Sequence, residues 1–221
     1  MILTVLLPTS AVILGASLAF YFKPETPKGT KLVLAYSGAF LLAILILEML
    51  PVVYTQNTNN VGLWIIGGIL FQILLEFFSK GAEHGHVHSI QNQIPWIMLL
   101  SLCIHAFFES MPLNEEKSLL WGVSVHKIPI GLVIGTMLFQ HSSAMPPKII
   151  AILVFALMSP LGSYMANYIE HIALYRFILP FVVGVLFHIS TTILFESSDG
   201  HTFNFQKILA ILLGIGTAIL V

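Results

Sequence analysis

The sequence contains very little charge. Only 9% of its 221 residues are Asp, Glu, Lys or Arg, whereas about 25% is usual in soluble domains. This scarcity excludes an ordinary water-soluble globule and a disordered chain, and it leaves no basic surface of the kind that nucleic-acid binding requires. Nine Lys and Arg residues against ten Asp and Glu residues give a formal net charge of −1, so the chain has no overall charge bias.

Cysteine is almost absent as well. Cys103 is the single cysteine, which excludes an intramolecular disulfide and a cluster of thiolates. Because it lies in an apolar run, we interpret it as a small buried hydrophobic side chain. The sequence also lacks a nucleotide-binding motif, so any process driven by ATP would need another chain.

Hydrophobic residues, in contrast, make up 57% of the chain, and the mean hydropathy is +0.94. A membrane-spanning helix needs about 20 mostly apolar residues, and the apolar runs here are continuous rather than alternating. We therefore predict an all-α, polytopic integral membrane protein with eight transmembrane helices. The predicted segments are 2–22, 32–51, 61–78, 94–113, 118–139, 148–168, 177–195 and 206–221.

The connections between these segments are polar and too short to form a domain, so we expect one membrane domain over residues 1–221. The first segment lacks the charged start and cleavage site of a signal peptide, and we expect it to remain as a helix. Basic residues then orient the chain with both termini extracytoplasmic. In that orientation the inner loops hold Lys23, Lys28, Lys31, Lys80, Lys148 and Lys207, and the outer loops hold Lys117 and Arg176.

Two ionisable residues lie deep in the fourth segment, where a charge costs at least about 2.5–3.5 kcal/mol. His105 and Glu109 are four residues apart, so they share one face of the helix. An imidazole and a carboxylate at that spacing can bind one divalent cation. The alternative is a hydrogen-bonded pair buried within the helix bundle.

The fifth segment carries His126 at a similar depth, on the adjacent helix. Pro129 frees the carbonyl of Val125, which adds an oxygen ligand at that level. This coincidence favours a metal over the alternative, a packing kink beside a satisfied histidine. Lys127 must be neutral or paired at the midplane, and Glu109 is the nearest plausible partner.

Three further residues are candidates for the pathway. His188 belongs to a polar stripe in the seventh segment, and it either lines a cavity or bonds to a neighbouring carbonyl. Glu48 lies near the outer end of the second segment and Glu76 near the inner end of the third. Each marks either a pore mouth or an ordinary solvated helix end.

The predicted cytoplasmic loop 80–93 is rich in histidine. Alternating histidines in a flexible loop bind ions such as Zn²⁺ weakly and adaptably, so we predict a metal-binding loop. Its candidate ligands are His84, His86 and His88.

This ordered set of motifs resembles the ZIP (Zrt/Irt-like) family of divalent metal transporters over essentially the whole chain. That family has eight helices, both termini outside and a histidine-rich loop between helices three and four. Its fourth-helix His-Asn-x-x-Asp/Glu-Gly motif is similar to 105–110, and its fifth-helix His-Glu-x-Pro-His-Glu motif is similar to 126–131. Weaker similarities are found at 160–162 and 184–190.

The positions at which the sequence departs from the family pattern belong mostly to one site. Ala106 stands where the family often has Asn, and Lys127 replaces the shared acidic residue of helix five. Ile130 replaces the ligand of the next turn, and Ser159 stands where some members have Glu. The resemblance therefore implies that the second of two adjacent metal sites has lost nearly all its ligands. We hypothesise that the Lys127 ammonium takes the place of the second cation.

The first site keeps His105, Glu109 and His126. The resemblance implies a transporter, not an enzyme, that moves a divalent transition metal into the cytoplasm without an organic cofactor. Zinc is the first choice, with iron, manganese or cadmium as alternatives. The expected partners are the metal ion and membrane lipid; a homodimer is compatible, and the expected location is the inner or plasma membrane of a bacterial cell.

Two other functions stay open at the level of sequence. One is a metal sensor or scaffold with the same fold and no transport. The other is a haem-binding membrane redox protein, with axial ligands drawn from His105, His126 and His188.

Overall fold

The structure, a computed structural model, describes residues 2–22, 27–55, 60–79, 96–140, 144–196 and 205–221. Within these ranges the chain forms helices and contains no strand. In the part of the chain that the structure describes, seven helices are long and apolar enough to cross a membrane, and the C-terminal helix is shorter. The prediction of an all-α, polytopic membrane protein with about eight helices is confirmed.

We number the helices along the chain. They are α1 (Ile2–Phe22), α2 (Pro27–Ile44), α3 (Val61–Ser79), α4 (Trp96–Glu109), α5 (Lys117–Gln140), α6 (Met145–Ile169), α7 (Ile178–Glu196) and α8 (Phe205–Ala218). α2 continues through the π-helical Leu45–Met49 and the α-helical Leu50–Thr55. A short 3₁₀ turn, Met111–Asn114, follows α4, and another, Tyr175–Phe177, precedes α7.

Together with its continuation to Thr55, α2 extends beyond the predicted segment 32–51 at both ends. Hydropathy does not detect its first turn, which begins at Pro27 and contains polar residues, although proline is well suited to the first helical position. Near the other end, Leu50 N–H donates to Leu45 O, which closes the π turn. Pro51 follows directly and has no N–H to donate.

In α3 the apolar face is exposed and the more polar face is buried, which is the opposite of a surface helix in a soluble protein. Large apolar residues such as Leu63, Leu70 and Phe77 are more than 60% exposed. The buried face instead includes Gly68, Gln72 and Ser79. Since lipid favours apolar side chains on the outside, the polar face of α3 packs inside the helix bundle.

The two helices that carry the deep ionisable residues, α4 and α5, each pack closely against a neighbouring helix. The pairs with the most extensive contacts are α1 with α5, α2 with α8 and α3 with α7. A Cβ at Gly131 of α5 would overlap the Val12 carbonyl of α1, and a Cβ at Gly162 of α6 would overlap the Phe107 carbonyl of α4. Glycine therefore allows the backbones to approach closely on both sides.

The apolar interior has two main clusters. One joins α1, α4, α5 and α6, and the other is built mainly from α2, α5 and α7. α5 contributes Ile130 to the first and Val123 to the second. His126 and Lys127 lie between these two residues in the sequence, so α5 places them where the clusters meet.

Candidate functional site

Four ionisable side chains are fully buried on α4 and α5. His105 and Glu109 come from α4, His126 and Lys127 come from α5, and each is 0% exposed. Burying an ionised group costs several kcal/mol unless charge and hydrogen bonds compensate it. The contacts among these four residues therefore define the candidate site.

His105 and Glu109 face each other one helical turn apart, as their spacing predicts. His105 Nε2 lies 3.1 Å from Glu109 Oε2. Within the described part of the chain, neither of these two atoms makes a hydrogen bond of acceptable geometry. These two buried atoms thus make a close electrostatic contact that lacks the alignment of a good hydrogen bond.

The other ring nitrogen of His105 contacts a residue that the sequence did not single out. His105 Nδ1 lies 3.1 Å from Oε1 of Gln72, which is on α3 and is also 0% exposed. An amide oxygen can only accept, so Nδ1–H is the donor. The available signal was a polar residue on an otherwise apolar helix, one turn before Glu76.

Lys127 lies against Glu109, as the cost of an unpaired ammonium predicts. Its Nζ donates a hydrogen bond to Glu109 Oε1. The same Nζ lies 5.2 Å from the centre of the Phe155 ring on α6. Ser159, one turn further along α6, is 1% exposed, and its hydroxyl has no hydrogen-bond partner in the ranges that the structure describes.

His126 completes the set of three predicted ligands. It is close enough to Glu109 to interact with it electrostatically. Among the described residues, however, no three His, Cys, Asp or Glu side chains gather closely enough to hold one metal ion. The structure therefore contains a His105–Glu109 pair, neutralised by Lys127, rather than an assembled three-ligand group.

His188 contacts a carboxylate rather than a carbonyl. Its Nε2 lies 2.6 Å from Glu76 Oε2, and the two side chains are 18% and 22% exposed. Glu76 lies one turn beyond Gln72 on α3. On the polar face of α3, Gln72 thus contacts His105 and Glu76 contacts His188. The two histidines were both singled out in the sequence.

Glu48 lies in the π-helical Leu45–Met49 and is half-buried. Its electrostatic neighbour is Glu116, which precedes α5. Burial raises the pKa of Glu116, and repulsion from Glu115 and Glu48 adds to that effect. The loop histidines His84, His86 and His88 lie outside the described residues.

One family model, described as ZIP Zinc transporter, matches residues 79–221, about two thirds of the chain. No curated protein matches the chain. The matched range covers α4 to α8 and so includes His105, Glu109, His126, Lys127 and His188. Gln72 and Glu76 precede it.

Proposed function

This chain belongs to the ZIP zinc transporter family, and on that premise we propose that it moves a divalent transition metal through the site built on His105 and Glu109. The family makes divalent metal the substrate and places the chain in a membrane as an integral protein. His126 is the third proposed ligand, since it is buried beside Glu109 and belongs to the neighbouring helix.

The observation that carries this proposal is the 3.1 Å separation between His105 Nε2 and Glu109 Oε2. Zinc binds histidine nitrogen and carboxylate oxygen at about 2.0–2.2 Å, so two ligands of a tetrahedral ion lie about 3.4 Å apart. The two atoms here are closer to each other, at 3.1 Å, and make no well-aligned hydrogen bond within the described residues. Their separation supports a metal ion held by both atoms after a small movement of the side chains.

The ligand set suits a transported ion better than a permanently bound one. Imidazole and carboxylate ligands accept Zn²⁺, and they also accept Fe²⁺, Mn²⁺ or Cd²⁺. We propose zinc as the main substrate on the strength of the family description. Three protein ligands leave at least one position for water, and an open position permits exchange.

We propose that Lys127 acts as a tethered cation in place of a second metal. It already neutralises Oε1 of Glu109, so the carboxylate stays ionised inside the bundle. Two unit charges about 4 Å apart repel by about 4 kcal/mol at an effective dielectric of 20. The ammonium therefore weakens metal binding at the first site and speeds release.

The proposed direction is inward, from the family resemblance, with both termini outside as the basic residues predict. In this topology α3 runs toward the cytoplasm, so Glu76 lies further inward than Gln72. The Glu76–His188 pair then receives the metal after the His105 site and passes it toward His84, His86 and His88. Helix groups that rock around the buried site would give alternating access.

Metal uptake into liposomes tests the proposal. Purified protein should carry Zn²⁺ to an enclosed fluorescent dye, and His105→Ala should reduce the flux to background. His171→Ala is the matched control, because His171 is exposed on the loop after α6. If the wild type and His105→Ala both give only background flux, the proposal of transport is contradicted and a metal sensor or scaffold remains. A visible haem absorption band in the purified protein would instead support the redox alternative.

A further inference from the structure

We infer that Gln72 is a positioning residue that holds His105 in the tautomer that binds the metal. This inference rests on the proposed function, because it assigns a determinant of affinity to the same site. The structural basis is the hydrogen bond from His105 Nδ1 to Gln72 Oε1, made between two side chains that are 0% exposed.

A neutral imidazole carries one proton, on either Nδ1 or Nε2, and only the nitrogen without a proton can bind a metal. Gln72 Oε1 accepts at Nδ1, so it stabilises the form in which Nε2 carries the lone pair. Nε2 is the nitrogen that faces Glu109 Oε2. The hydrogen bond therefore presents the metal-binding nitrogen to the carboxylate and also fixes the plane of the ring.

The opposite tautomer would remove this arrangement. With its proton on Nε2, His105 would have no lone pair there for a metal, and Nδ1 and Gln72 Oε1 would become two acceptors facing each other. Either tautomer leaves one such pair of acceptors, because Nε2 is also 3.1 Å from Glu109 Oε2. Among the described residues, the Gln72 contact has the geometry of a hydrogen bond and the Glu109 contact does not, so the Gln72 oxygen favours the proton on Nδ1.

Gln72 acts from a helix that contributes none of the proposed ligands. His105 and Glu109 are on α4 and His126 is on α5, whereas Gln72 reaches His105 from α3. A second hydrogen bond crosses the same interface, from Ser101 Oγ to the Leu75 carbonyl, at 2.6 Å. Ser101 lies one turn before His105 and, among the described residues, makes no hydrogen bond to its ring, so it provides a control for packing between α3 and α4.

The experiment measures the His105 tautomer and the metal affinity in the full chain. ¹⁵N NMR of the metal-free protein should show the proton on His105 Nδ1 in the wild type, and Gln72→Leu should abolish this preference. Zn²⁺ titration should show Kd weakened about 10- to 100-fold in Gln72→Leu, as is usual when such a partner is lost. Gln72→Glu, which keeps an oxygen acceptor at the same position, should restore both properties.

Ser101→Ala should leave the tautomer and the Kd unchanged. The inference is overturned if the wild type carries its proton on Nε2, if Gln72→Leu binds Zn²⁺ as tightly as the wild type, or if Ser101→Ala causes the same loss. Failure of the proposed function has a different signature. In that case the tautomer depends on Gln72 as described, but neither the wild type nor any variant transports metal.

Discussion

Lys127 on α5 donates a hydrogen bond to Oε1 of Glu109 on α4, and both side chains are fully buried. The pair leaves the other carboxylate oxygen facing His105. One oxygen of Glu109 therefore binds the ammonium of Lys127. In the proposed function, the other oxygen binds the transported metal. This arrangement lets the carboxylate remain charged in the absence of metal.

Removing the ammonium should destabilise the metal-free protein and tighten metal binding. Lys127→Met leaves Glu109 as a buried carboxylate without its main counter-charge, which costs about 3–5 kcal/mol. Denaturant unfolding in detergent with a chelator measures this loss. Added Zn²⁺ should then raise the unfolding temperature of Lys127→Met more than that of the wild type, because the metal replaces the missing cation.

The matched control for that change is Lys207→Met. Lys207 is also buried, but its ammonium donates to the Leu194 carbonyl rather than to a site residue. Its loss should not alter the response to Zn²⁺. Lys127→Glu, which adds a carboxylate, should increase the metal content of purified protein, and an unchanged content would contradict the role given to Lys127. Two ions bound at this level in the wild type would contradict it as well.

The Glu76–His188 pair should affect the rate of transport rather than affinity at the buried site. His188→Ala removes a ligand that lies beyond Gln72 on the proposed inward path, so initial Zn²⁺ uptake should fall severalfold while the equilibrium Kd of the His105 site stays the same. Thr191→Val is the control, since Thr191 bonds only to the Phe187 and His188 carbonyls in the described contacts. A normal uptake rate in His188→Ala would exclude this residue from the path.

Close packing of α6 on α4 should be sensitive to a single methyl group. A Cβ at Gly162 would overlap the Phe107 carbonyl, two residues before Glu109. Gly162→Ala should destabilise the fold by about 1–3 kcal/mol and weaken Zn²⁺ binding as α4 shifts. At Gly67 a Cβ meets no described atom within 4 Å, so Gly67→Ala should not destabilise it. Equal thermal stability of the two variants would show that the approach of α6 to α4 does not constrain the site.

Glu116 should make stability fall as the pH rises. Burial raises the pKa of Glu116 in the folded chain above its ordinary value of 4.5, so between pH 4.5 and the folded pKa the folded state binds more protons than the unfolded state. Stability decreases across that range and stays lower above it. Glu116→Gln should therefore be more stable than the wild type at pH 7, and the difference should vanish below pH 4.5.

Thermal unfolding of the detergent-solubilised protein between pH 4 and 8 checks this expectation. Glu170→Gln is the control, because Glu170 is exposed on the loop after α6. A parallel pH dependence in Glu116→Gln and the wild type would show that another group is responsible.

The deep ionisable residues show how much of the candidate site could be predicted from the sequence. A spacing of four places His105 and Glu109 on one helix face, and the cost of a buried ammonium predicts the Lys127–Glu109 pair. Both relationships follow from rules that apply to any membrane helix. Hydropathy likewise predicts the number of helices, although it underestimates α2, whose first turn is polar.

Gln72 and the Glu76–His188 pair could not be predicted in this way. Gln72 is 33 residues from His105 in the chain, and Glu76 is 112 residues from His188. No periodicity connects positions so far apart. An amide also carries no charge, so its presence in an apolar helix is a weaker signal than that of a carboxylate or an ammonium.

The near absence of charge by itself determined that this chain is a helical membrane protein, because only a chain that satisfies its backbone internally can place so many apolar residues in lipid. The few ionisable residues inside the helices marked the depth at which we propose the site. Only the tertiary structure decided which oxygen faces each ring nitrogen, since that depends on how α3, α4 and α7 approach one another. Their small and polar faces meet inside the bundle, where each buried polar group requires a partner.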